Sequence, residues 1–327
     1  MTSHTYEFNR QDVFRLIGPS LLVALAFAVA MHLGKAFGLW PPPRPTLDVD
    51  RTLLVHQVEA TRVSPDATVL LLGDSSCLMD VAADELSPQI GQRALNLGTL
   101  SYLDLRAYAK LLRDYVTHHS QPLRAVVLLM HPEALRRAGP EEYHVRLLDS
   151  LMHGTDFVPG TGFHPRLLHW LGLDLFRSRF LCRVLPTPLA GAYGRHYGFS
   201  TGLEKFLAQH RGSLVEPDRQ PFRGNAEYRL AKTLEPGSRA FRQEVPPNVK
   251  LLVGITPVPS GFAGQDYPAL RDEMLAQWSQ WLQADALLSG LPATLPDEAF
   301  AKTTHLTETG ARRYTELLAA ELNRHLP

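Results

Sequence analysis

A serine stands directly after an apolar run in the first third of the chain. Residues 67–72 read ATVLLL, and the run ends abruptly in Gly73-Asp74-Ser75-Ser76. A short apolar run bounded by turn residues predicts a strand that is buried on both faces of a parallel sheet. A serine on the tight turn after such a strand can attack an acyl carbon, because the adjoining backbone N–H groups can hold the developing oxyanion. Ser75 is therefore the candidate nucleophile.

A histidine near the other end of the chain is the candidate base. His305 lies just before a helix that is predicted to run from Glu308 to Leu326, with Thr307 as its possible cap. A lone histidine in such a place is more often an ordinary surface or capping residue. Together with the early Gly-Asp-Ser turn, it is predicted to act as the general base.

The elements that must position these two residues have the pattern of an α/β sheet. Two further apolar runs, residues 125–130 and 249–255, resemble the strand before Ser75. A stretch with helical spacing, Tyr102 to His118, lies between the run before Ser75 and residues 125–130. We therefore expect a doubly wound, mostly parallel sheet with flavodoxin-like layering. The loops at Ser75, at His131-Pro132-Glu133 and at Thr256-Pro257-Val258-Pro259 each follow a strand and should meet at one edge of that sheet.

The middle of the chain breaks this alternation. Residues 141–242 are rich in histidine, arginine, aromatic residues and proline, without a regular exchange of strand and helix. They predict a helical insertion that caps the site or meets a partner or the membrane surface. The globular domain is expected to span 53–327, with this insertion inside it.

The N-terminal segment has the composition of a membrane anchor. Residues 16–33 carry no charge, and continuation to Trp40 gives a run that can cross the hydrocarbon core. An uncleaved anchor over 1–40, inserted through residues 16–40, is favoured over a cleaved signal peptide, and 41–52 is a proline-rich linker. The basic residues that flank the run are nearly balanced, so they do not determine the orientation.

The overall composition excludes several functions. The chain has 33 basic and 33 acidic residues, without a basic block, so nucleic-acid binding is not expected. Two cysteines are too few for a disulfide framework or a cysteine-rich zinc site, and the histidines are scattered. No metal or other cofactor is predicted.

Several motifs together resemble the SGNH (GDSL-like) hydrolase superfamily. They are the strand-Gly-Asp-Ser turn, the segment Asn96-Leu97-Gly98, the strand end at His131-Pro132-Glu133 and the late His305-Leu306 with Gly310-Ala311. With its N-terminal anchor, the chain is most similar to membrane-anchored bacterial proteins of polysaccharide O-acetylation and teichoic-acid D-alanylation. The resemblance covers 67–135 and 249–322.

The resemblance implies roles for the matching residues. Ser75 would be the nucleophile and His305 the base, while the N–H groups of Ser75 and Gly98, in the Asn96 segment, would line the oxyanion site. It also implies a polysaccharide substrate, a multipass membrane O-acyltransferase as partner, and an inner-membrane protein with its soluble domain outside the cytoplasm.

Two positions depart from the family pattern. Lys302 stands three residues before His305, where the family has an aspartate, and His131 stands in the region of the family's oxyanion asparagine. The acid must come from elsewhere, with Asp297 as the best candidate ahead of Glu298 and Glu133, or it does not exist. In the second case a Ser–His dyad acts with a carbonyl group that orients the ring, or the site is degenerate.

Two main hypotheses follow. The first is a serine acyltransferase or esterase that acts on an exported polysaccharide. The second is a degenerate relative that binds polysaccharide or holds a membrane complex together, which the two departures favour. A secreted lipase-like esterase is a weaker third possibility, because the anchor argues against it.

Overall fold

The computed structural model describes residues 9–100, 103–137, 139–157 and 162–326. They form two compact units. One consists of Met1–Pro45 and Ser150–Pro186, and the other of Thr46–Asp149 and Thr187–Pro327. The stretch 141–242, which the sequence predicts as one insertion, is thus divided between the two.

Helices and strands alternate over residues 69–130 and 250–322, and the named elements between these two ranges are helical. The helices are α1 (Arg10–Ala36), α2 (Val49–Val63), α3 (Ser75–Asp80), α4 (Ala83–Gln89), α5 (Leu105–His118), α6 (Pro132–Leu135), α7 (Glu142–Met152), α8 (Phe163–Trp170), α9 (Leu173–Phe176), α10 (Cys182–Val184), α11 (Gly191–Tyr197), α12 (Ser200–Gln209), α13 (Glu235–Glu244), α14 (Tyr267–Leu282) and α15 (Glu308–Leu322). The strands are β1 (Val69–Gly73), β2 (Ala94–Asn96), β3 (Ala125–Met130), β4 (Lys250–Ile255), β5 (Val258–Pro259), β6 (Ala286–Leu287), β7 (Thr294–Leu295), β8 (Phe300–Lys302) and β9 (His305–Leu306). A π-helical turn, Arg177–Leu181, joins α9 to α10.

The central sheet is parallel and doubly wound, as the sequence predicts. Its strand order is β2-β1-β3-β4-β6, and every pair in it is parallel. The apolar runs leave β1 and β3 completely buried, because helices cover both faces. The order reverses between β1 and β3, and sheets of this kind bind their ligands beside such a reversal, at the carboxyl ends of the strands.

Each face of the sheet has its own helical layer. On one face, Leu71 of β1 and Val127 of β3 belong to a core cluster with Leu86 of α4 and Tyr314 and Leu318 of α15. Side chains alternate along a strand, so the residues between them point to the opposite face. The second layer contains α2, α5 and α13, which pack against one another.

The three loops at the carboxyl ends of β1, β3 and β4 meet at one edge, as the sequence predicts. Asp74, directly after β1, accepts a hydrogen bond from the backbone N–H of His131 at 3.0 Å. It also accepts one from the hydroxyl of Ser76 at 2.6 Å, and Thr256, after β4, donates to that hydroxyl at 3.0 Å. A buried carboxylate thus joins the ends of three strands.

The unit formed by Met1–Pro45 and Ser150–Pro186 contains the single described helix that is long and apolar enough to cross a membrane. This helix, α1, has 27 residues and contains an 18-residue stretch of mean hydropathy 2.1. It begins with a capping box formed by Asn9 and Asp12. The helices α8, α9 and α10 belong to the same unit.

Gly73 makes the close approach of β1 to β3 possible. Its φ of +152° is rarely adopted by other residues, and a Cβ there would lie 1.7 Å from the carbonyl oxygen of Leu129. The nucleophile turn therefore depends on the absence of a side chain at this position.

We expect Gly73→Ala to lower the free energy of unfolding by about 3 kcal/mol or more, since strain and overlap with backbone act together. Gly91→Ala is the matched control, because Gly91 has a φ of +62° and open space around it. It should cost about 1 kcal/mol from backbone strain alone. Chemical unfolding followed by circular dichroism measures both, and equal losses would contradict the role assigned to the contact.

Candidate active site

Ser75 is the first residue of the short helix that follows β1. Asp74 caps α3 by accepting a hydrogen bond from the backbone N–H of Ser76. The side chain of Ser75 is only half-buried, while its neighbours Asp74 and Ser76 are completely buried. Its backbone N–H belongs to the first turn, where donors have no acceptor within the helix. The turn therefore presents both a hydroxyl and an N–H group.

The imidazole of His305 lies between that serine and a carboxylate. Its Nε2 is 2.8 Å from the Oγ of Ser75, and its Nδ1 is 2.6 Å from an oxygen of Glu216. When Nδ1 donates to the carboxylate, Nε2 carries the lone pair that accepts the hydroxyl proton. The structure thus brings together the two residues proposed from the sequence, and adds a third that sequence reasoning missed.

Glu216 is buried and has several donors around it. Besides His305, it contacts the ammonium group of Lys302 at 2.5 Å and the hydroxyl of Tyr193 at 3.3 Å, and it accepts from the backbone N–H of Asp218 at 2.8 Å. Lys302 therefore approaches the carboxylate and does not have to orient the imidazole itself. A lysine three residues before His305 is therefore compatible with a triad whose acid comes from elsewhere in the chain.

The surroundings of Glu216 keep its carboxylate charged. Burial by itself would raise the pKa of Glu216, but the hydrogen bonds and charges of His305 and Lys302 outweigh burial and hold the pKa below its usual value. A charged carboxylate against Nδ1 can stabilise the imidazolium that forms when His305 takes a proton.

A second buried acid holds the strand that carries His305. Asp80, at the end of α3, accepts a hydrogen bond from the backbone N–H of Leu306 at 2.8 Å. Burial raises the pKa of Asp80 well above its usual value. Because α3 begins at Ser75 and ends at Asp80, this one short helix positions both Ser75 and the strand that contains His305.

His131 presents a buried N–H donor at the same site. Its Nδ1 accepts from the backbone N–H of Glu133 at 3.1 Å, which assigns the proton of the neutral ring to Nε2. Within the part of the chain that the structure describes, Nε2 has no hydrogen-bond partner. Burial, with the nearby charges of His305, Arg136 and Arg137, lowers the pKa of His131 to about 3, so the ring stays neutral at ordinary pH.

Asn96 and Gly98, proposed from the sequence as oxyanion or substrate groups, have structural partners instead. The side chain of Asn96 donates to the carbonyl oxygen of Cys77 at 2.8 Å and accepts from the backbone N–H of Gly98 at 2.8 Å. Asn96 is completely buried. Because the N–H of Gly98 is already engaged, we correct its assignment as an oxyanion donor.

Asp297, proposed as the orienting acid, has other partners as well. Its carboxylate accepts from the backbone N–H of Gly261 at 2.8 Å and lies in an exposed turn. Glu216 takes the place beside Nδ1 that the sequence analysis gave to Asp297. Glu216 is 89 residues before His305 in the chain, so no local spacing could have indicated it.

Ser75 and His305 open into a cavity of about 360 Å³. Both apolar and charged side chains line it. The apolar ones include Leu53, Met79 and Leu100, and the acidic and basic ones are Asp50, Asp74, Glu133, Arg137 and Lys302. His131 lines the same cavity as Ser75 and His305.

Comparison with known proteins yields little. No family model and no curated protein matches the chain. One solved structure, provisionally described as a platelet activating factor from Streptococcus pneumonia, aligns over 84% of this chain and 92% of its own. The sequence identity is 11% and the TM-score 0.37. Both values are too low to indicate a function for this chain.

We expect Glu216→Gln to slow covalent modification of Ser75 by a fluorophosphonate on the order of 10³-fold, because the uncharged amide no longer stabilises the imidazolium. The matched control is Asp297→Asn, which makes the same acid-to-amide change away from His305 and should leave the rate unchanged. Gel-based labelling kinetics measure both. A large loss in Asp297→Asn with none in Glu216→Gln would reverse the assignment.

The depressed pKa of His131 predicts acid sensitivity. Below its usual pKa of about 6.5 the unfolded chain protonates this ring, while the folded protein does not until about pH 3, so stability falls as the pH falls between these values. Between pH 6 and 4 the wild type should lose on the order of 1.4 kcal/mol per pH unit more than His131→Asn. Chemical unfolding at several pH values measures the difference, with pH 8 as reference. Parallel stability curves would refute the assignment.

Proposed function

We propose that this chain is a membrane-anchored serine esterase or O-acyltransferase of the SGNH type, which moves a short acyl group on an exported polysaccharide. The observation that carries the proposal is the continuous contact from Ser75 through His305 to Glu216, at 2.8 and 2.6 Å. Nucleophile, base and orienting acid within hydrogen-bond distance, beside a cavity, are the groups that acyl transfer requires.

The first half of the reaction would form an acyl-enzyme. The Oγ of Ser75 attacks the acyl carbon while its proton passes to Nε2 of His305, and Glu216 stabilises the imidazolium. The tetrahedral intermediate then collapses as His305 returns the proton to the leaving oxygen. In the second half, water or a sugar hydroxyl gives its proton to His305 and attacks the acyl carbon, which releases Ser75.

Two N–H donors would stabilise the negative oxygen of the intermediate. One is the backbone N–H of Ser75, and the other is Nε2–H of His131. A neutral imidazole can donate this hydrogen bond without changing its protonation state, which the low pKa of His131 ensures. His131 would thereby replace the side-chain amide that the resemblance places in this region.

The cavity suits a small acyl group on a hydroxyl-rich acceptor. Its volume of about 360 Å³ is modest, and it is lined by apolar side chains, three acids (Asp50, Asp74 and Glu133) and the two cations Arg137 and Lys302. Sugar hydroxyls both donate and accept hydrogen bonds, so they can use carboxylates and cations alike. The acyl donor is proposed, by resemblance, to be supplied by a multipass membrane O-acyltransferase.

An uncleaved anchor fits the N-terminal unit. The second half of α1 is not a bare apolar segment, because Ala28 and Met31 are buried and Trp40 donates to the carbonyl oxygen of Met31 at 2.9 Å. Cleavage in this region would remove part of a packed unit. We propose a single-pass protein of the bacterial inner membrane with its catalytic unit outside the cytoplasm.

Two reasons favoured the alternative of a degenerate relative without catalytic activity. It rested on a missing acid and a missing oxyanion donor, and Glu216 and His131 offer groups of the required chemistry at the corresponding places. We therefore propose catalysis and not binding alone.

The full chain in detergent should hydrolyse p-nitrophenyl acetate, and Ser75→Ala should lose the activity to near the uncatalysed rate. The physical reason is that no other hydroxyl contacts Nε2 of His305 among the described residues. Ser289→Ala, on an exposed turn, is the matched control and should keep full activity.

Two outcomes would count against the proposal. If Ser75→Ala hydrolyses the ester as fast as the parent, Ser75 is not the nucleophile. If p-nitrophenyl palmitate is hydrolysed faster than the acetate, the lipase-like alternative replaces the short-acyl assignment.

A further inference from the structure

Charged residues flank the apolar stretch of α1 and indicate how deep the residues between them would lie in a membrane. Between Arg15 and Lys35 lie 19 residues without a charge. At about 1.5 Å per residue this stretch is about 28 Å long, close to the thickness of about 30 Å of a bilayer's hydrocarbon core. If α1 crosses a membrane, as the proposed function holds, Arg15 and Lys35 lie near the two boundaries of that core.

Side chains from the mid-chain helices contact α1 inside this stretch. The ring of Phe27 meets the ring of Phe176 edge-on, with 5.7 Å between their centroids. Gly34 is the last residue of the uncharged stretch, and Phe27 lies seven residues before it. Phe27 is therefore about 10 Å below the boundary, measured along the helix axis. Phe176, the last residue of α9, must therefore lie at a similar depth.

A glycine allows this close approach. Gly172 has a φ of +72°, and a Cβ there would lie 2.8 Å from the Cβ of Met31 and 3.5 Å from the Cα of Ala28. The turn between α8 and α9 thus rests directly on the backbone of α1. Ala28 and Met31 are buried by the contact, whereas most of the apolar side chains of α1 are exposed.

The end of α8 also explains a polar residue in the apolar stretch. Nε2 of His32 lies 3.1 Å from the carbonyl oxygen of His169 and 3.2 Å from that of Trp170. The last carbonyl groups of a helix have no partner within it, and a ring N–H needs an acceptor away from water. The two carbonyl groups therefore offer acceptors to Nε2 of His32 at this depth, and the carbonyl of His169 also accepts from the backbone N–H of Gly172 at 2.9 Å.

An ion cluster lies at the level where the apolar stretch ends. Lys35 contacts Asp156 at 2.7 Å, and Asp156 also contacts Arg179 at 3.0 Å. Arg179 donates in turn to the carbonyl oxygen of Pro41 at 2.7 Å. These three charged groups lie at the boundary, while the turn before them reaches deeper along α1. Within that deeper part the carboxylate of Asp174 contacts Nδ1 of His169 at 2.8 Å.

The surface of residues 162–176 is unusually apolar for a surface that faces water. Phe163 is 81% exposed, Trp170 62% and Leu173 44%. Transfer of such side chains from water to a lipid phase is favourable. The exposed Arg166 in α8 can extend its guanidinium toward lipid phosphates.

From the contacts along α1 we infer that residues 162–176, with α8 and α9, are embedded in one leaflet of the bilayer beside α1. The segment binds phospholipid through Phe163, Trp170 and Leu173, as a second membrane element that does not cross the bilayer. The inference rests on the anchor part of the proposed function, and not on catalysis.

Fluorescence quenching in lipid nanodiscs tests the position of this segment. Single cysteines are introduced into the full chain as Leu173→Cys, Leu22→Cys and Val63→Cys, labelled with NBD and reconstituted with or without phospholipids that carry a doxyl group on the acyl chain. Val63, 79% exposed on α2 of the other unit, is the matched control, and Leu22, 69% exposed on α1, reports the anchor. Cys77 and Cys182 are buried, and the wild-type chain gives their background.

We expect NBD at Leu173→Cys and at Leu22→Cys to lose most of its emission with doxyl lipid, while NBD at Val63→Cys keeps it. Quenching at Leu22→Cys with none at Leu173→Cys would overturn the inference and leave the anchor intact. Absence of quenching at both would overturn the inference together with the anchor, while the catalytic proposal is judged separately by ester hydrolysis.

Discussion

The buried carboxylate of Asp74 is the interaction on which the site depends most. It accepts hydrogen bonds from the residues that follow β1 and from the first residue after β3, and Ser76 links it to the residue after β4. A buried carboxylate is costly unless it is fully hydrogen-bonded, so these bonds hold three strand ends in one arrangement. The direction of Ser75 follows from that arrangement, because Asp74 also caps the helix that Ser75 begins.

His305, the proposed base, is held by a different set of contacts. Asp80 holds the strand of His305 through the backbone, and Glu216 orients its ring. Lys302 offsets part of the cost of burying Glu216, which explains how a cation can stand close to a base without opposing it. The charge that a neighbouring aspartate would bring reaches the site from a distant part of the chain instead.

The fold was largely predictable because it depends on local patterns. Apolar runs that end in turn residues indicated β1, β3 and β4, and the stripe of Leu105, Tyr108 and Leu112 indicated α5. The division of 141–242 between two units was not predictable. Neither 150–186 nor 187–242 shows a regular exchange of strand and helix in the sequence, and their packing partners separate them.

By itself, the sequence determined the parallel sheet, the apolar N-terminal helix and the candidate pair of Ser75 and His305, since each depends on periodicity or on a short motif. The tertiary structure alone decided which acid faces His305, because Glu216 and Asp297 are both ordinary acids in the sequence and differ only in what surrounds them. It also decided that the N–H of Gly98 is engaged and that Nε2 of His131 has no hydrogen-bond partner among the described residues. Hydrogen-bond partners are set by distances between remote segments, and those distances exist only once the sheet has formed.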